Sequence, residues 1–410
     1  MNPTIKARIE SIRRGEVPEG YKRTKAGILP VDWEFNPLSQ LAQKSKTKNR
    51  EKRYTKILTN SANEGIISQT DYFDKQIANN DNIEGYYIVK NGEFVYNPRI
   101  SVAAPCGPIN CYHGEEIGVM SPLYTVFSID MKEIQRDYIE QFFSSTSWHR
   151  YMKSVANYGV RSDRMNLSDE DFFLLPIPMP ARVEQEKIAE ILAGQNRVIA
   201  LKEKLLAEKQ KQKKYLMQQL LTGKKRLPGF SGEWNILLLG DICTIQTGKL
   251  DANAAQENGK FPFFTCAKEV LSINTFSFDG EAILLAGNGD VGTTKLYNGK
   301  FDAYQRTYVL MNFLISAYLT KQYIDFQIMK IISKEKQGGA MPYIRLSSLE
   351  KLPLFVPNDF TEQTAIAEIL STADKEIELL KKDIEQEKLK KKSLMQLLLT
   401  GIVRVDELVS

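Results

Sequence analysis

Glu184-Gln185-Glu186-Lys187-Ile188-Ala189-Glu190-Ile191-Leu192 returns 178 residues later as Glu362-Gln363-Thr364-Ala365-Ile366-Ala367-Glu368-Ile369-Leu370. The same offset, without a gap, lays Lys213-Lys214-Tyr215-Leu216-Met217-Gln218-Gln219-Leu220-Leu221-Thr222-Gly223 onto Lys391-Lys392-Ser393-Leu394-Met395-Gln396-Leu397-Leu398-Leu399-Thr400-Gly401. Between 183–223 and 361–401, 19 of 41 positions are identical, which composition alone does not produce, so the chain contains a duplication. Both copies read as long helices. Apolar residues at Ile366, Ile369, Ala373, Ile377, Leu380, Ile384, Leu394 and Leu398 step by threes and fours and keep one stripe on one face, a seam for a partner helix. Glu and Gln open each copy, lysines crowd its last third and Thr-Gly closes it, as the helix dipole and a glycine cap favour. Each copy runs for about 38 residues, roughly 57 Å at 1.5 Å per residue. The seam candidates are Ile188, Ile191, Leu192, Leu216 and Leu220 in the first copy, and Ile366, Ile369, Leu370, Ile377, Leu380, Ile384, Leu394 and Leu398 in the second. In the first copy the middle of the seam is polar (Lys202, Lys209, Lys213), and imperfect pairing is expected there.

Outward from the copies the duplication continues more loosely. A proline-spaced apolar stretch precedes each one, Leu175-Pro176-Ile177-Pro178-Met179-Pro180 and Leu352-Pro353-Leu354-Phe355-Val356-Pro357. Both must be extended, because proline fixes its own φ and disfavours helix in the residue before it. Trp33 with Leu38 and Trp234 with Leu239 keep one Trp-to-Leu spacing. The order is body, long helix, body, long helix. The bodies, about 20–180 and 224–357, consist of short β-branched and aromatic runs bounded by Gly, Asn and Asp, such as Phe94-Val95-Tyr96-Asn97-Pro98 and Glu281-Ala282-Ile283-Leu284-Leu285-Ala286. Each also carries one helix pattern, Asp137 to Val155 and Ser316 to Ile332, so both are mixed α+β domains.

At 410 residues and 46.7 kDa, 42% hydrophobic and 26% charged, the chain is large enough for two or three domains with cores, and it is not a disordered composition. Cys106, Cys111, Cys243 and Cys266, beside a polar and then basic start, point to a reducing cytoplasm and not to a disulfide framework. No apolar run approaches membrane-spanning length. A net charge of +5 with a pI near 8.7 suits nucleic acid without establishing it.

Catalytic chemistry finds little material. Gly287-Asn288-Gly289-Asp290-Val291-Gly292 spells G-x-G-x-x-G after an apolar strand, but Thr293-Thr294-Lys295-Leu296-Tyr297-Asn298-Gly299 is not a helix whose N-terminus could hold a pyrophosphate. A strand-to-strand turn is the better reading. Asn97-Pro98-Arg99 lacks the second proline and the aromatic of an amino-methyltransferase loop. Cys106, Cys111 and His113 are close in sequence, yet a structural zinc site takes four ligands, so no metal site is expected. His149 beside Trp148 reads as a packed or surface histidine, and Glu184, Glu186 and Glu362 as answers to the helix dipole.

Basic and hydrogen-bonding residues do concentrate. Lys44-Ser45-Lys46-Thr47-Lys48-Asn49-Arg50-Glu51-Lys52-Arg53-Tyr54 sets six cations against one acid in a loop suited to phosphate neutralisation, with Lys44, Lys46, Lys48, Arg50 and Arg53 as candidates. Two loops hold the same place in the two bodies, after the domain helix and before the proline stretch. They offer Tyr158, Arg161 and Arg164 in one and Lys334, Lys336, Gln337 and nearby Tyr343 in the other. These donors, together with glycines that allow close approach, can read base edges. Tyr96, Asn97, Arg99, Asn288, Gln305 and Arg306 are further candidates at strand ends.

This layout of body, proline stretch, Glu-Gln-x-x-Ile-Ala-x-Ile-Leu helix and Leu-Met-Gln-x-Leu-Leu-Thr-Gly ending, all twice, resembles the specificity subunits of type I restriction-modification systems. The resemblance covers essentially the whole chain. It implies two similar target recognition domains of mixed α/β structure, each reading one half of a bipartite DNA sequence, separated by two long antiparallel helices in a pseudo-twofold coiled-coil spacer. It divides the chain into an N-terminal helical segment (1–19), recognition domain 1 (20–180), spacer helix 1 (181–223), recognition domain 2 (224–357), and spacer helix 2 with a tail (358–410). It also implies a cytoplasmic subunit without catalysis or cofactor of its own, which docks two methyltransferase subunits and, in some systems, restriction endonuclease subunits. S-adenosylmethionine, ATP and Mg would then be bound by those partners. The alternatives are a single-chain S-adenosylmethionine-dependent methyltransferase using the Gly287–Gly292 turn, or a coiled-coil DNA-binding regulator.

Overall fold

The computed structural model describes residues 3–72, 80–156, 163–335 and 343–409. Both repeated segments are helices of 39 residues, Arg182–Leu220 and Phe360–Leu398, about 58 Å long at 1.5 Å per residue. Their ends match as the sequences do. Gly223 and Gly401 both sit at φ 66°, the left-handed region in which a side chain is strained. The Gly223 and Lys225 amides donate to the carbonyls of Leu220 and Gln219, and those of Gly401 and Val403 to Leu398 and Leu397. A Cβ on Gly401 would also lie 2.6 Å from the Pro30 ring. Among the described residues no helix is long and apolar enough to cross a membrane.

The chain divides into two compact units, residues 1–201 with 384–410 and residues 202–383. The division falls inside the helices and not at their junctions with the bodies, because the seams bury into the body cores. In the first unit Ile188, Leu192 and Leu398 join Phe94, Phe127 and Phe142 in one core, with Leu394 and Ile191 against it. In the second, Leu220, Ile366 and Leu370 join Ile283, Leu310 and Tyr323, with Leu216 and Ile369 against it.

The first unit is built on an antiparallel sheet in the order Ala42–Lys44, Thr125–Ile129, Phe94–Tyr96, Ile109–Cys111. Helix Arg136–Ser144 packs across the last strand and buries Tyr138, Ile139, Phe142 and Phe143. The proline stretch forms strand Pro176–Met179, paired antiparallel with Glu34–Pro37. At the chain ends, Arg8 in helix Pro3–Arg13 donates to the Ile402 carbonyl and to both carboxylate oxygens of Glu407. The expected helix 137–155 is two helices, Arg136–Ser144 and His149–Val155. Ser145 ends the first: its hydroxyl donates to the Phe142 carbonyl and accepts from the Ser147 amide, an alternative to the helical ladder that short polar side chains offer.

The second unit repeats the sheet as Thr244–Thr247, Thr307–Met311, Phe278–Ala286, Thr294–Ala303, all antiparallel, and extends it with Phe261–Phe264 and Leu271–Ile273. Its helix Ala317–Glu335 is unbroken, and its proline strand Pro353–Pro357 pairs with Trp234–Leu238. The shared strand order extends the duplication into the bodies, where few residues match.

Within each unit the two long helices pair antiparallel. In the second unit Lys202 meets Asp383 at 2.8 Å, Lys209 meets Glu376 at 2.7 Å and Lys213 meets Asp374 at 2.6 Å. The polar middle of the seam is thus a ladder of ion pairs and not the imperfect packing its composition suggests. Pairs this exposed contribute about 0.2–1 kcal/mol each, so they fix register more than stability. Asp374 also accepts from Tyr318 Oη at 2.6 Å and Gln322 Nε2 at 2.9 Å, which ties the body helix to the pair. In the first unit Gln195, buried, donates to Glu387 Oε2 at 2.7 Å, and Ile384 is buried nearby in sequence.

Each unit carries the same three-residue clamp. Arg404 Nε and Nη2 donate to Glu184 at 2.8 and 2.9 Å, and Trp33 Nε1 to Glu184 at 3.0 Å. Arg226 Nε and Nη2 donate to Glu362 at 2.7 Å each, and Trp234 Nε1 to Glu362 at 3.3 Å. Arg226 and Arg404 stand at the same offset of 178 as Glu184 and Glu362. The dipole therefore explains only part of these glutamates. Each one joins the start of one long helix to the arginine after the end of the other and to the tryptophan of a body. The adjacent glutamines work alike, Gln185 and Gln363 donating to the carbonyls of Pro180 and Pro357.

Candidate nucleic-acid interface

In the first unit the basic loop is held in place by a buried asparagine. Asn49 donates through Nδ2 to the Tyr54 carbonyl at 2.8 Å and accepts the Tyr54 amide at 3.1 Å, which closes residues 49–54 on themselves. The loop is zipped to a neighbouring segment by Asn49 N–H to Tyr86 O and Ile88 N–H to Thr47 O. Lys46, Lys48, Arg50 and Arg53 are exposed along it, with Lys48 over the Tyr87 ring and Arg53 over the Tyr54 ring. The buried Asn49 thus holds up a row of cations that solvent reaches. Lys44 does not belong to that row, because it lies in the sheet and pairs with Asp169.

Beside this loop opens a cavity of about 720 Å³ lined by Asn60, Gln69, Tyr86, Asn97, Arg99 and Tyr124, among others. Asn60 is its buried hub. Its Nδ2 donates to the Val95 carbonyl at 2.7 Å, its Oδ1 accepts from Asn110 at 2.6 Å, and its carbonyl accepts from Asn97 at 3.0 Å. Arg99 is exposed at the rim and forms an antiparallel bridge with Arg164, whose side chain is half-buried. Two sequence candidates change role here. Tyr96 is buried and stacked on Phe172 at 4.7 Å, its hydroxyl donating to the Cys106 carbonyl and its pKa pushed up by burial, so it is core. Asn97 spends its amide on Asn60 and on the Arg99 backbone, so it positions Arg99.

In the second unit Gly287–Thr293 is the turn of a hairpin, with Leu285 opposite Thr294. Gly289 and Gly292 take φ 61° and 83°, values that glycine adopts without strain. This is the strand-to-strand turn read from the sequence. Neighbouring loops are hydrogen-bonded to it: Gly287 N–H to Arg306 O, Asp290 N–H to Cys266 O and Ile344 N–H to Gly287 O. Gln305 N–H reaches Leu250 O, and Gln305 Nε2 reaches Asp251 at 2.9 Å. The assembled loops expose Lys249, Lys268, Arg306 and Arg345, with Asn288 half-buried and Tyr343 exposed. Asp290, an acid among them, is occupied by the Lys268 amide.

The two bodies use their sheet ends alike. In the first, the Met165 amide docks on the Pro98 carbonyl; in the second, the Ile344 amide docks on that of Gly287. Tyr158, Arg161, Lys336 and Gln337 lie outside the described residues, and so does the side chain of Lys334. Asn60, Lys249, Lys268 and Arg345 were not singled out from the sequence. Lys249 and Lys268 follow the strands Thr244–Thr247 and Phe261–Phe264 in polar turns, where short Gly/Lys punctuation was the only signal; Asn60 is buried inside strand Leu58–Ser61 and Arg345 stands just before helix Leu346–Glu350, and neither has a local signal. All four thiols are buried, with Cys243 pushed up to about 12 by burial, and His149, half-buried against Trp148, is pushed down by burial and then by Lys153.

A family model for the type I restriction modification DNA specificity domain matches residues 30–210 and again 231–388. The type I restriction enzyme EcoDI specificity subunit of Escherichia coli is 43% identical over 154 residues, 38% of this chain and 34% of that protein, so the match spans about a third of its length. The putative type I restriction enzyme MjaX specificity subunit of Methanocaldococcus jannaschii is 24% identical over 428 residues, 94% of this chain and 97% of the relative. Among solved structures, the S subunit of a type I restriction-modification system from M. genitalium superposes with a TM-score of 0.56 at 16% identity, covering 89% of this chain and 96% of that one. A chain from a study of complex assembly in the type I R-M system gives 0.57 at 14% identity, over 92% and 99%. These two likenesses concern the fold. Matched once over each body with its adjoining helix, the chain belongs to the type I restriction-modification DNA specificity family.

Proposed function

We propose that this chain is the sequence-specificity subunit of a type I restriction-modification complex and performs no chemistry itself. Each body reads one half of a bipartite duplex target. The paired helices set the half-site spacing and carry the docking surface for two methyltransferase subunits, and restriction endonuclease subunits can join the same assembly in the cytoplasm. S-adenosylmethionine, and ATP with Mg where an endonuclease is present, belong to those partners. The observation that carries this reading is the duplicated unit: an exposed, basic, amide-bearing set of loops at the end of the same antiparallel sheet, each body mounted on paired helices. The loops differ between the units, Lys46–Arg53 and Arg99 in one against Lys268, Arg306 and Arg345 in the other, so two unlike half-sites follow.

Methylation-sensitive sequencing of DNA from cells carrying the methyltransferase partner, with and without this chain, tests the proposal. A two-part adenine motif that depends on the chain is expected, and an unchanged methylome with an active partner refutes it. Exchanging residues 224–357 for another body should alter one half of the motif only. If both halves change, the division of labour between the bodies is wrong.

A further inference from the structure

Among the described residues one set of metal-ligating side chains converges: Cys111, His113 and Glu140, whose ligand atoms all lie within 4.8 Å of one another. Strand Ile109–Cys111 ends on the cysteine, and the histidine follows two positions later, the spacing that puts two side chains on one side of an extended chain. Helix Arg136–Ser144 packs across that strand and brings in the glutamate. His113 Nε2 and Glu140 Oε2 are 3.0 Å apart. The other carboxylate oxygen, Glu140 Oε1, is buried and has no hydrogen-bond donor among the described residues. A buried carboxylate oxygen without a donor is costly, and an ion beside it is one of the standard explanations.

The chemistry of the set is selective. A thiol, an imidazole and a carboxylate at ligand distance suit a borderline-soft divalent ion, whereas Mg²⁺ and Ca²⁺ take oxygen ligands. A cavity of about 440 Å³, lined by these three residues with Lys56, Asn110 and Ser144, among others, opens on the site and leaves room for a water as fourth ligand. We propose that Cys111, His113 and Glu140 form a Zn²⁺ site in the first recognition body, with its fourth position open to this cavity. On binding, the Cys111 proton passes to solvent and the thiolate bonds the metal. The ion ties the end of the sheet to the helix above it. The second body has no counterpart, since His113 and His149 are the only histidines of the chain. Cysteines and histidines alone do not complete a zinc site in this body; the third ligand here is a carboxylate, Glu140, brought by a helix distant in sequence.

The test uses the full chain, produced without a histidine tag, stripped by chelator and titrated with Zn²⁺ or Co²⁺ alone. We expect one ion per chain by elemental mass spectrometry and, with Co²⁺, a thiolate-to-metal charge-transfer band in the near ultraviolet. His113 is exposed, so His113→Ala should fold normally and weaken binding by about tenfold or more, with Glu140→Gln doing the same. Cys111→Ser should abolish the charge-transfer band. Three outcomes would overturn the proposal: no bound metal, a Co²⁺ spectrum without the thiolate band, or unchanged affinity in His113→Ala.

Discussion

Replacing Arg226 with alanine removes two of the three side-chain hydrogen bonds that the Glu362 carboxylate receives among the described residues. The Glu362 side chain is 1% exposed and receives Arg226 Nε and Nη2 at 2.7 Å and Trp234 Nε1 at 3.3 Å. Without the guanidinium, a buried anion keeps one long hydrogen bond from a neutral donor. Breaking a buried ion pair from one side costs about 3–5 kcal/mol. The Arg226 side chain is 31% exposed, so water can enter its place and the lower end applies, about 3 kcal/mol. Lys209→Ala, at the more exposed pair with Glu376, should cost only about 0.5 kcal/mol. For a unit the size of residues 202–383, about 3 kcal/mol corresponds to a drop of roughly 6–12 °C in melting temperature. Because two units unfold in one chain, the local readout is hydrogen exchange of peptides around Trp234 and Glu362, with first-unit peptides as reference. The double variant Arg226→Ala with Glu362→Gln leaves no buried charge and should be more stable than Arg226→Ala alone. The reasoning fails if Arg226→Ala costs under about 1 kcal/mol, or if the double variant loses the sum of the two single losses.

Three further outcomes are expected. Reversing the charge of Lys46, Lys48 and Arg50 together should weaken DNA binding by the assembled complex on every sequence and flatten its salt dependence by up to about three units of slope; a change in preference alone would mean these residues read bases. Arg99→Ala and Arg306→Ala should each relax one half of the target, by about 1–3 kcal/mol of discrimination in competition binding, and equal losses on all sequences would make them phosphate contacts. Burial pushes the Asp374 carboxyl up, but hydrogen bonds from Lys213, Tyr318 and Gln322 outweigh it and leave it below its ordinary 3.8. Its contribution is therefore fully present above that value and lost as the pH falls through the lower, folded one, so urea midpoints should show the parent converging on Asp374→Asn below about pH 4. A constant gap between the two across that range would remove Asp374 from the account.

The long helices were legible because their signals are local. A seam at steps of three and four, acidic starts, basic ends and Thr-Gly caps all act within a few turns, and Leu220, Ile366 and Leu398 are buried as that periodicity requires. Periodicity also overran a real boundary: the pattern from Asp137 to Val155 hides the break at Ser145, where a side chain competes for the backbone. Lys202, Lys209 and Lys213 looked like faults in the seam, since a single helix cannot show the acids its partner will bring to them. The candidate interface was legible in outline only. Lys46, Lys48, Arg50 and Arg53 are exposed where a loop was expected, and Arg306 where a strand end was. Tyr96 was misplaced because alternation along a strand does not say which face is covered, and Phe172, which covers it, lies 76 residues away.

The sequence by itself determined the duplication, the two helices and their caps, the extended proline strands and the hairpin at Gly287–Gly292. Each of these follows from dihedral preferences and from periodicities that a short window contains. The tertiary structure alone decided which charges meet. Arg404 closes on Glu184 and Trp33, Asn60 gathers Asn97 and Asn110, and Glu140 reaches Cys111 and His113, all through partners distant along the chain. Such contacts depend on loop closure and sheet order, and no local preference encodes them.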